Sequence, residues 1–123
     1  MRTTKIKLGG NEYTLCFSVR VVRDCTERYG DVNKIYDAMS DGATYQQLDE
    51  VLWLLSRMMD AGYRYDKTMG NETVEPLSLD ELYDTLDIND LAGLQSTVIN
   101  TVTAGQSQNV IAKPKNSEAT PDE

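Results

Sequence analysis

Two acidic pairs are the first residues of this chain whose chemistry suggests acid–base catalysis. Asp49-Glu50 and Asp80-Glu81 each place two carboxylates side by side. Both pairs follow residues that can cap the start of a helix, where the helix dipole by itself favours acidic side chains. We therefore interpret them as helix-start and solvent-facing residues without a catalytic role.

The segment DINDLAGLQSTV, residues 87–98, begins like a calcium-binding loop, with Asp87 and Asn89 as possible oxygen ligands. An EF-hand also needs a glycine at its sixth position and a closing glutamate. The segment lacks both of these residues. We expect no calcium site here.

The chain has no histidine, and its two cysteines, Cys16 and Cys25, do not form a CxxC pair. Without imidazole, serine–histidine and cysteine–histidine catalysis are excluded together with the usual transition-metal sites. In a reducing compartment both cysteines are interpreted as small buried residues with free thiols. The sequence therefore predicts a protein that is not an enzyme and that uses no metal and no cofactor.

Charge and length restrict the possible partners. The chain has 123 residues, which suffice for one domain, and a net charge of −8 from 12 basic and 20 acidic side chains. It has no Lys/Arg cluster that could neutralise a phosphate backbone, no signal-peptide pattern and no apolar run near the ~18 residues of a membrane span. We expect a cytoplasmic protein that binds other proteins, with no nucleic acid and no membrane as partner.

The first quarter of the chain carries the clearest local signals. Residues 3–17 alternate between apolar and polar side chains around the turn Gly9-Gly10-Asn11, which predicts a β-hairpin. Ser18 is a suitable N-cap for a helix over residues 18–29, and Gly30 is a suitable terminator. Opposite charges at i,i+4 spacing along this helix, such as Arg20 with Asp24, predict ion pairs on a solvated face.

Helical spacing and capping residues predict four further helices. Capping boxes begin at Thr44 and at Ser78, and Gly62 is expected to end the longest helix. Residues 63–77 are predicted to form a long loop. The four helices are predicted over residues 31–39, 45–61, 79–86 and 89–103.

Together these elements predict an α+β fold that is predominantly α. An N-terminal β-hairpin packs on a small bundle of about five helices, and residues 1–105 form a single globular domain. Residues 106–123 lose the periodicity and are rich in Pro, Ser, Asn, Lys and Glu. Such a segment buries too little apolar surface to offset its ordering entropy, so we predict a flexible C-terminal tail.

The longest helix carries more apolar surface than one side requires, because Val51 to Leu55 are apolar without a break. A central helix that is buried on several sides explains this pattern best. The alternative is that a partner, or a second copy of the chain, covers part of it, and we expect self-association on this ground. The candidate protein-binding residues are Trp53, Met58, Met59, Tyr63, Tyr65 and Met69.

Residues 5–30, KIKLGGNEYTLCFSVRVVRDCTERYG, resemble the opening of tail assembly chaperones from long-tailed, siphovirus-like phages and prophages. The shared features are a strand, a glycine-containing turn, EYTL as the return strand, and a helix with Arg20 that ends in ERYG. The long apolar helix ending in Ala61-Gly62 is a second similarity, and the two cover about half of the chain. After Gly62 the family would have a short acidic segment, where this chain has YRYDKTMGNE.

This resemblance implies a mostly helical chaperone that binds the tape measure protein, keeps its long hydrophobic helices soluble and helps recruit the tail tube protein. It also implies a C-terminally extended form of the same chain, made by translational frameshifting. The chaperone would act in the cytoplasm of the bacterial host and be absent from the mature virion. Two other functions stay open: a structural virion component, such as a small connector or tail protein, and a host adaptor that binds another cellular protein.

Overall fold

The computed structural model describes residues 3–40 and 44–112, without the side chains of residues 105–112. This part of the chain consists of an antiparallel β-hairpin and five α-helices, which confirms the predicted α+β, predominantly α fold. A single 3₁₀ turn, Ile88–Asp90, precedes the last helix. The elements are β1 (Thr3–Leu8), β2 (Asn11–Cys16), α1 (Val19–Tyr29), α2 (Lys34–Ser40), α3 (Thr44–Met69), α4 (Leu79–Thr85) and α5 (Leu91–Ala112).

The hairpin forms where the sequence predicts it. Thr3 pairs with Cys16 and Leu8 pairs with Asn11, so the two strands are matched in length. Gly9 and Gly10 connect them with φ angles of 57° and 86°, which glycine adopts without the steric penalty of a side chain. From Tyr13 to Cys16, β2 is buried on both of its faces, whereas β1 exposes its lysines to solvent.

α1 has the predicted ends but not the predicted ion pairs. The Ser18 hydroxyl accepts a hydrogen bond from the Val21 backbone N–H at 3.3 Å, and Gly30 ends the helix with a φ of 86°. Among the described residues, no i,i+4 ion pair forms along this helix. Arg28 instead pairs with Glu50 on α3, so its charge joins two helices.

The predicted end of the long helix at Gly62 is wrong, because α3 continues to Met69. Gly62 lies against β2, and a Cβ atom at this position would collide with the backbone carbonyl group of Thr14. The glycine therefore permits close packing of helix on strand and does not terminate the helix. Gly70, with a φ of 76°, follows the true end of α3, which leaves a shorter loop than the predicted 63–77 segment.

α3 is the central helix, as its apolar pattern predicts. Its buried residues include Leu52, Leu54, Leu55 and Met58, and they belong to one hydrophobic core together with β2 and residues of the other helices. β2 lies along the second half of α3, where Thr14 meets Gly62 and Asp66, and α1, α2, α4 and α5 also pack against α3. The second half of α3 is thus held by the hairpin on one side.

The C-terminal helix is longer than predicted. α5 begins at Leu91 and extends to Ala112, so residues 106–112 of the segment predicted as a flexible tail belong to a helix. No proline or charged residue interrupts residues 91–112, and isolated glycines such as Gly93 and Gly105 are tolerated within a helix. Residues 113–123 lie outside the described residues. α2 starts at Lys34, three residues later than the predicted start at 31.

Candidate partner-binding surface

The predicted contact residues all lie on α3, but the structure does not place them on one surface. The Met58 and Met59 side chains have exposed fractions of 0% and 1%, so they present no surface to a partner. They lie on the face of α3 that packs into the core with Leu55. Their place among the candidates is therefore corrected: both are core residues.

Trp53 is half-buried and is engaged by residues of α1. The Arg28 guanidinium lies over the indole ring, 4.4 Å from its centroid. The Tyr29 ring meets the indole edge to face, with ring centroids 5.8 Å apart and an interplanar angle of 88°. Both contacts are favourable arrangements for an aromatic ring. Trp53 thus contributes to the packing of α1 on α3.

Glu50 completes this Trp53 cluster, which comprises Arg28, Tyr29, Glu50 and Trp53. Arg28 donates to both carboxylate oxygens, at 3.0 and 3.3 Å, and the Tyr29 hydroxyl donates to Oε1 at 2.6 Å. Burial tends to raise the pKa of Glu50, but the hydrogen bonds from Arg28 and Tyr29 outweigh it and lower the pKa. Burial and the bond to Glu50 raise the pKa of Tyr29. The Trp53 cluster is an internally paired junction between two helices.

Tyr65 lines an open groove between the start of α1 and the second half of α3. We name it the α1–α3 groove; its volume is about 320 Å³. Cys16 and Ala61 are buried residues at its base, and Val19 at its edge is 82% exposed. Its lining residues are Cys16, Ser18, Val19, Arg20, Ala61, Arg64, Tyr65 and Thr68.

Met69 extends the apolar surface beyond this groove. It lies four residues after Tyr65 on the same helix, so both side chains project from one face about a turn apart. Met69 is 58% exposed. An unbranched thioether of this kind adapts to partners of different shape. The exposed side chains of Val19 and Met69 and the half-buried ring of Tyr65 together give this region an apolar surface.

Tyr63 lies on a neighbouring part of α3. It is half-buried, and the Lys67 ammonium group is 5.6 Å from its ring centroid. Tyr63 borders a separate depression with Asp60, Arg64, Glu75 and Pro76. Arg64 is common to this depression and to the α1–α3 groove, so Tyr63 lies beside the groove and does not line it.

A buried carboxylate holds the groove-bearing half of α3 in place. Asp66 is only 3% exposed and accepts a hydrogen bond from the Thr14 hydroxyl on β2 at 2.6 Å. Asn71 donates to its other oxygen at 3.2 Å, and Lys5 donates to Thr14 at 3.0 Å. Burial tends to raise the pKa of Asp66, but these hydrogen bonds and the Lys5 charge lower it overall. Since both oxygens are satisfied, we assign Asp66 a structural role.

The described residues contain no group of three or more His, Cys, Asp or Glu side chains that could hold a metal ion. Both cysteines are buried, and burial raises the pKa of the Cys25 thiol to about 12, which keeps it protonated at neutral pH. Within the same residues no helix is both long enough and apolar enough to cross a membrane.

Comparison of the chain with protein-family models, with curated proteins and with solved structures found no match.

Tyr65 is the one predicted contact residue among the residues that line the groove. The sequence pattern did not single out the exposed lining residues Val19, Arg20 and Arg64 as contacts. Val19 could have been identified from the sequence as an exposed apolar residue, because its position directly after the N-cap Ser18 lies outside the inward face of α1. That face is formed by Val21 and Cys25, which are buried. The sequence does not predict that the two arginines lie at a groove, because their position there depends on how α1 packs against α3.

Proposed function

We propose that the protein is a phage tail assembly chaperone that binds the tape measure protein and helps recruit the tail tube protein during tail morphogenesis. The observation that carries the proposal is the open apolar surface formed by the α1–α3 groove and Met69. A chaperone for long hydrophobic helices needs such a surface on an exterior that stays soluble. The net charge of −8 supplies that solubility.

The shape of the groove suits a helix better than a small molecule. An amphipathic helix binds by laying its apolar face into an open groove, where side chains at i, i+3, i+4 and i+7 make the contacts. A volume of about 320 Å³ is at the lower limit for small-molecule pockets, which are also more enclosed. Tyr65 and Met69, one turn apart on α3, match the repeat of such a partner helix.

The remaining parts of the fold support this surface from within. Met58 and Met59 fill the core beneath α3, and Asp66 fastens its second half to β2. The Trp53 cluster fixes α1, which carries Val19, against the same helix. The groove is thus built between two helices whose relative position is fixed by packing and by paired polar groups.

Co-expression tests the proposal in bacteria. The partner is the longest predicted helical protein encoded beside this chain, and the measured quantity is its soluble fraction. We expect the wild-type protein to raise that fraction and Val19→Asp to abolish the increase. The control is Ile88→Lys, since Ile88 is also strongly exposed, at 70%, but lies in the 3₁₀ turn before α5 and does not line the α1–α3 groove. Solubility of the partner that is independent of this protein would contradict the proposal.

Mass spectrometry of purified virions distinguishes the chaperone from a structural virion component. A chaperone acts during assembly and leaves, so the proposal predicts its absence from mature particles. A stoichiometric amount in the virion would identify a connector or tail component instead. Recovery of a host protein as the specific partner would favour the adaptor function.

A further inference from the structure

The arginines of the described residues divide into two groups. Arg23 pairs with Asp24, Arg28 with Glu50, and Arg57 with Asp60, at distances of 3.5, 3.0 and 3.6 Å. Arg20 and Arg64 form no ion pair within residues 3–40 and 44–112. These two arginines are the ones that line the α1–α3 groove.

Their placement is suited to a ligand with negative charge along two edges. Arg20 lies on α1 and Arg64 lies on α3, so each of the two helices that form the groove contributes one guanidinium beside the apolar base. Arg64 also borders the depression that contains Asp60 and Glu75, but it makes no ion pair with either of them. Two guanidinium groups at one apolar groove, without an ion pair among the described residues, can pair with carboxylates of a bound segment.

We infer that the α1–α3 groove binds an amphipathic helical segment that carries Asp or Glu on both flanks of its apolar face. The apolar side chains of that segment contact Val19, Ala61 and Tyr65, and its carboxylates pair with Arg20 and Arg64. This inference rests on the proposed function, because it states which segments of the tape measure protein the chaperone selects.

The division of roles follows from the strengths of the interactions. Apolar burial supplies most of the affinity, whereas exposed ion pairs are individually weak and mainly decide which partner binds. The planar guanidinium fork can hold a carboxylate through two hydrogen bonds, which fixes the orientation of the helix across the groove. The negative charge of the whole protein is screened over about 8 Å at physiological salt, so the nearby arginines dominate at contact.

A pair of synthetic peptides tests this inference. Both are fluorescein-labelled helical peptides of about 18 residues with the same Leu/Ala face, and they differ only in having Glu or Lys on the two flanks. Binding is measured by fluorescence anisotropy. We expect the Glu peptide to bind about tenfold more tightly than the Lys peptide, as two close ion pairs would give, and the preference to weaken as salt is raised. Net charge alone predicts the reverse order, since the protein is acidic.

Charge reversal at the groove provides the matched comparison. The double variant Arg20→Glu/Arg64→Glu should bind the Lys peptide more tightly than the Glu peptide. Arg23→Glu/Lys34→Glu changes the net charge by the same amount at exposed residues that do not line the groove, and it should retain the wild-type order. Circular dichroism melts confirm that both variants remain folded.

Three results would overturn the inference: a wild-type preference for the Lys peptide, an equal loss of preference in both double variants, or no binding of either peptide. The proposed function is judged separately by whether the tape measure protein depends on this chain for solubility. If that dependence holds and survives Arg20→Glu/Arg64→Glu, the groove inference fails and the chaperone function stands. If the peptides behave as expected but no tape measure protein depends on the chain, the groove binds acidic helices of another partner.

Discussion

Replacement of Gly62 by alanine should destabilise the protein, although the same change in most helices is stabilising. Gly62 lies within α3, where alanine would improve helix propensity by about 1 kcal/mol. The added Cβ atom, however, meets the backbone of Thr14 on β2. Backbone atoms cannot move aside as a flexible side chain can, so the strand and helix would have to separate by roughly an ångström within a close-packed core.

The magnitude follows from two opposing terms. Forcing an extra methyl group into a packed interior reduces stability by about 1–3 kcal/mol, and a backbone-to-backbone clash belongs at the upper end of that range. Subtracting about 1 kcal/mol of improved propensity leaves a net loss of about 2 kcal/mol. For a domain of this size, such a loss lowers the melting temperature by about 8 °C.

Urea denaturation followed by the fluorescence of Trp53, the single tryptophan, measures this change directly. Gly93→Ala is the matched control, because Gly93 lies in the first turn of α5 and a Cβ atom there meets nothing within 4 Å. That control should gain up to about 1 kcal/mol. If Gly62→Ala also stabilises the protein, then Gly62 is not in close contact with β2 and the hairpin does not pack tightly on α3.

Three further substitutions test the polar contacts of the fold. The pKa of Asp66 is lowered in the folded protein, so its contribution to stability is present above the unfolded pKa of about 3.9 and is lost as pH falls through the folded value. The urea midpoint should therefore drop more steeply below about pH 4 in the wild type than in Asp66→Asn. Glu50→Gln should lower stability by about 1 kcal/mol and alter Trp53 emission, because Arg28 loses its carboxylate partner. This loss of stability should shrink at high salt, and a salt-independent loss would point to packing instead. Ser78→Ala removes a capping box and should destabilise the protein by about 1 kcal/mol, with faster amide exchange confined to α4. Unchanged amide exchange in α4 would show that the cap is dispensable.

The local elements were predictable because their signals lie within a few residues. Gly9-Gly10 requires positive φ angles at a hairpin turn, and both occur. Ser18 and Gly30 cap α1 at both ends, as their positions predict. Such features depend on backbone conformation at one position and need no knowledge of the rest of the fold.

Gly62 shows why the ends of α3 were less predictable. A glycine that follows an apolar helix can terminate it or can permit close approach of another backbone, and the local sequence is the same in both cases. The strand that approaches Gly62 comes from residues near Thr14, far away in the sequence. Only the tertiary structure distinguishes the two uses.

The candidate surface was partly predictable for a similar reason. Tyr65 and Met69 were identified from residue type, and the structure places both beside or within an open apolar surface. Met58 and Met59 have the same adaptable chemistry but lie under neighbouring elements. Arg28 finds its carboxylate 22 positions away on another helix, a pairing that i,i+4 spacing within α1 does not reveal.

Self-association remains a prediction from the apolar character of α3. The structure buries most of that surface inside one chain, with Val51, Leu52, Leu54 and Leu55 all in the core. Light scattering over a range of protein concentrations measures the oligomeric state. A monomer at every concentration would show that the apolar excess serves the core alone.

The most direct test of the central claim is a pull-down of the tagged protein from cells that carry its native neighbouring genes, with mass spectrometry of everything retained. If the protein is a tail assembly chaperone, we expect a very long helical partner, the tape measure protein, together with a C-terminally extended copy of this chain. Retention of that partner should be lost in Val19→Asp and kept in Ile88→Lys. Recovery of the protein alone, or retention that is the same in both variants, would contradict the assignment of the α1–α3 groove as the binding surface of a tail assembly chaperone.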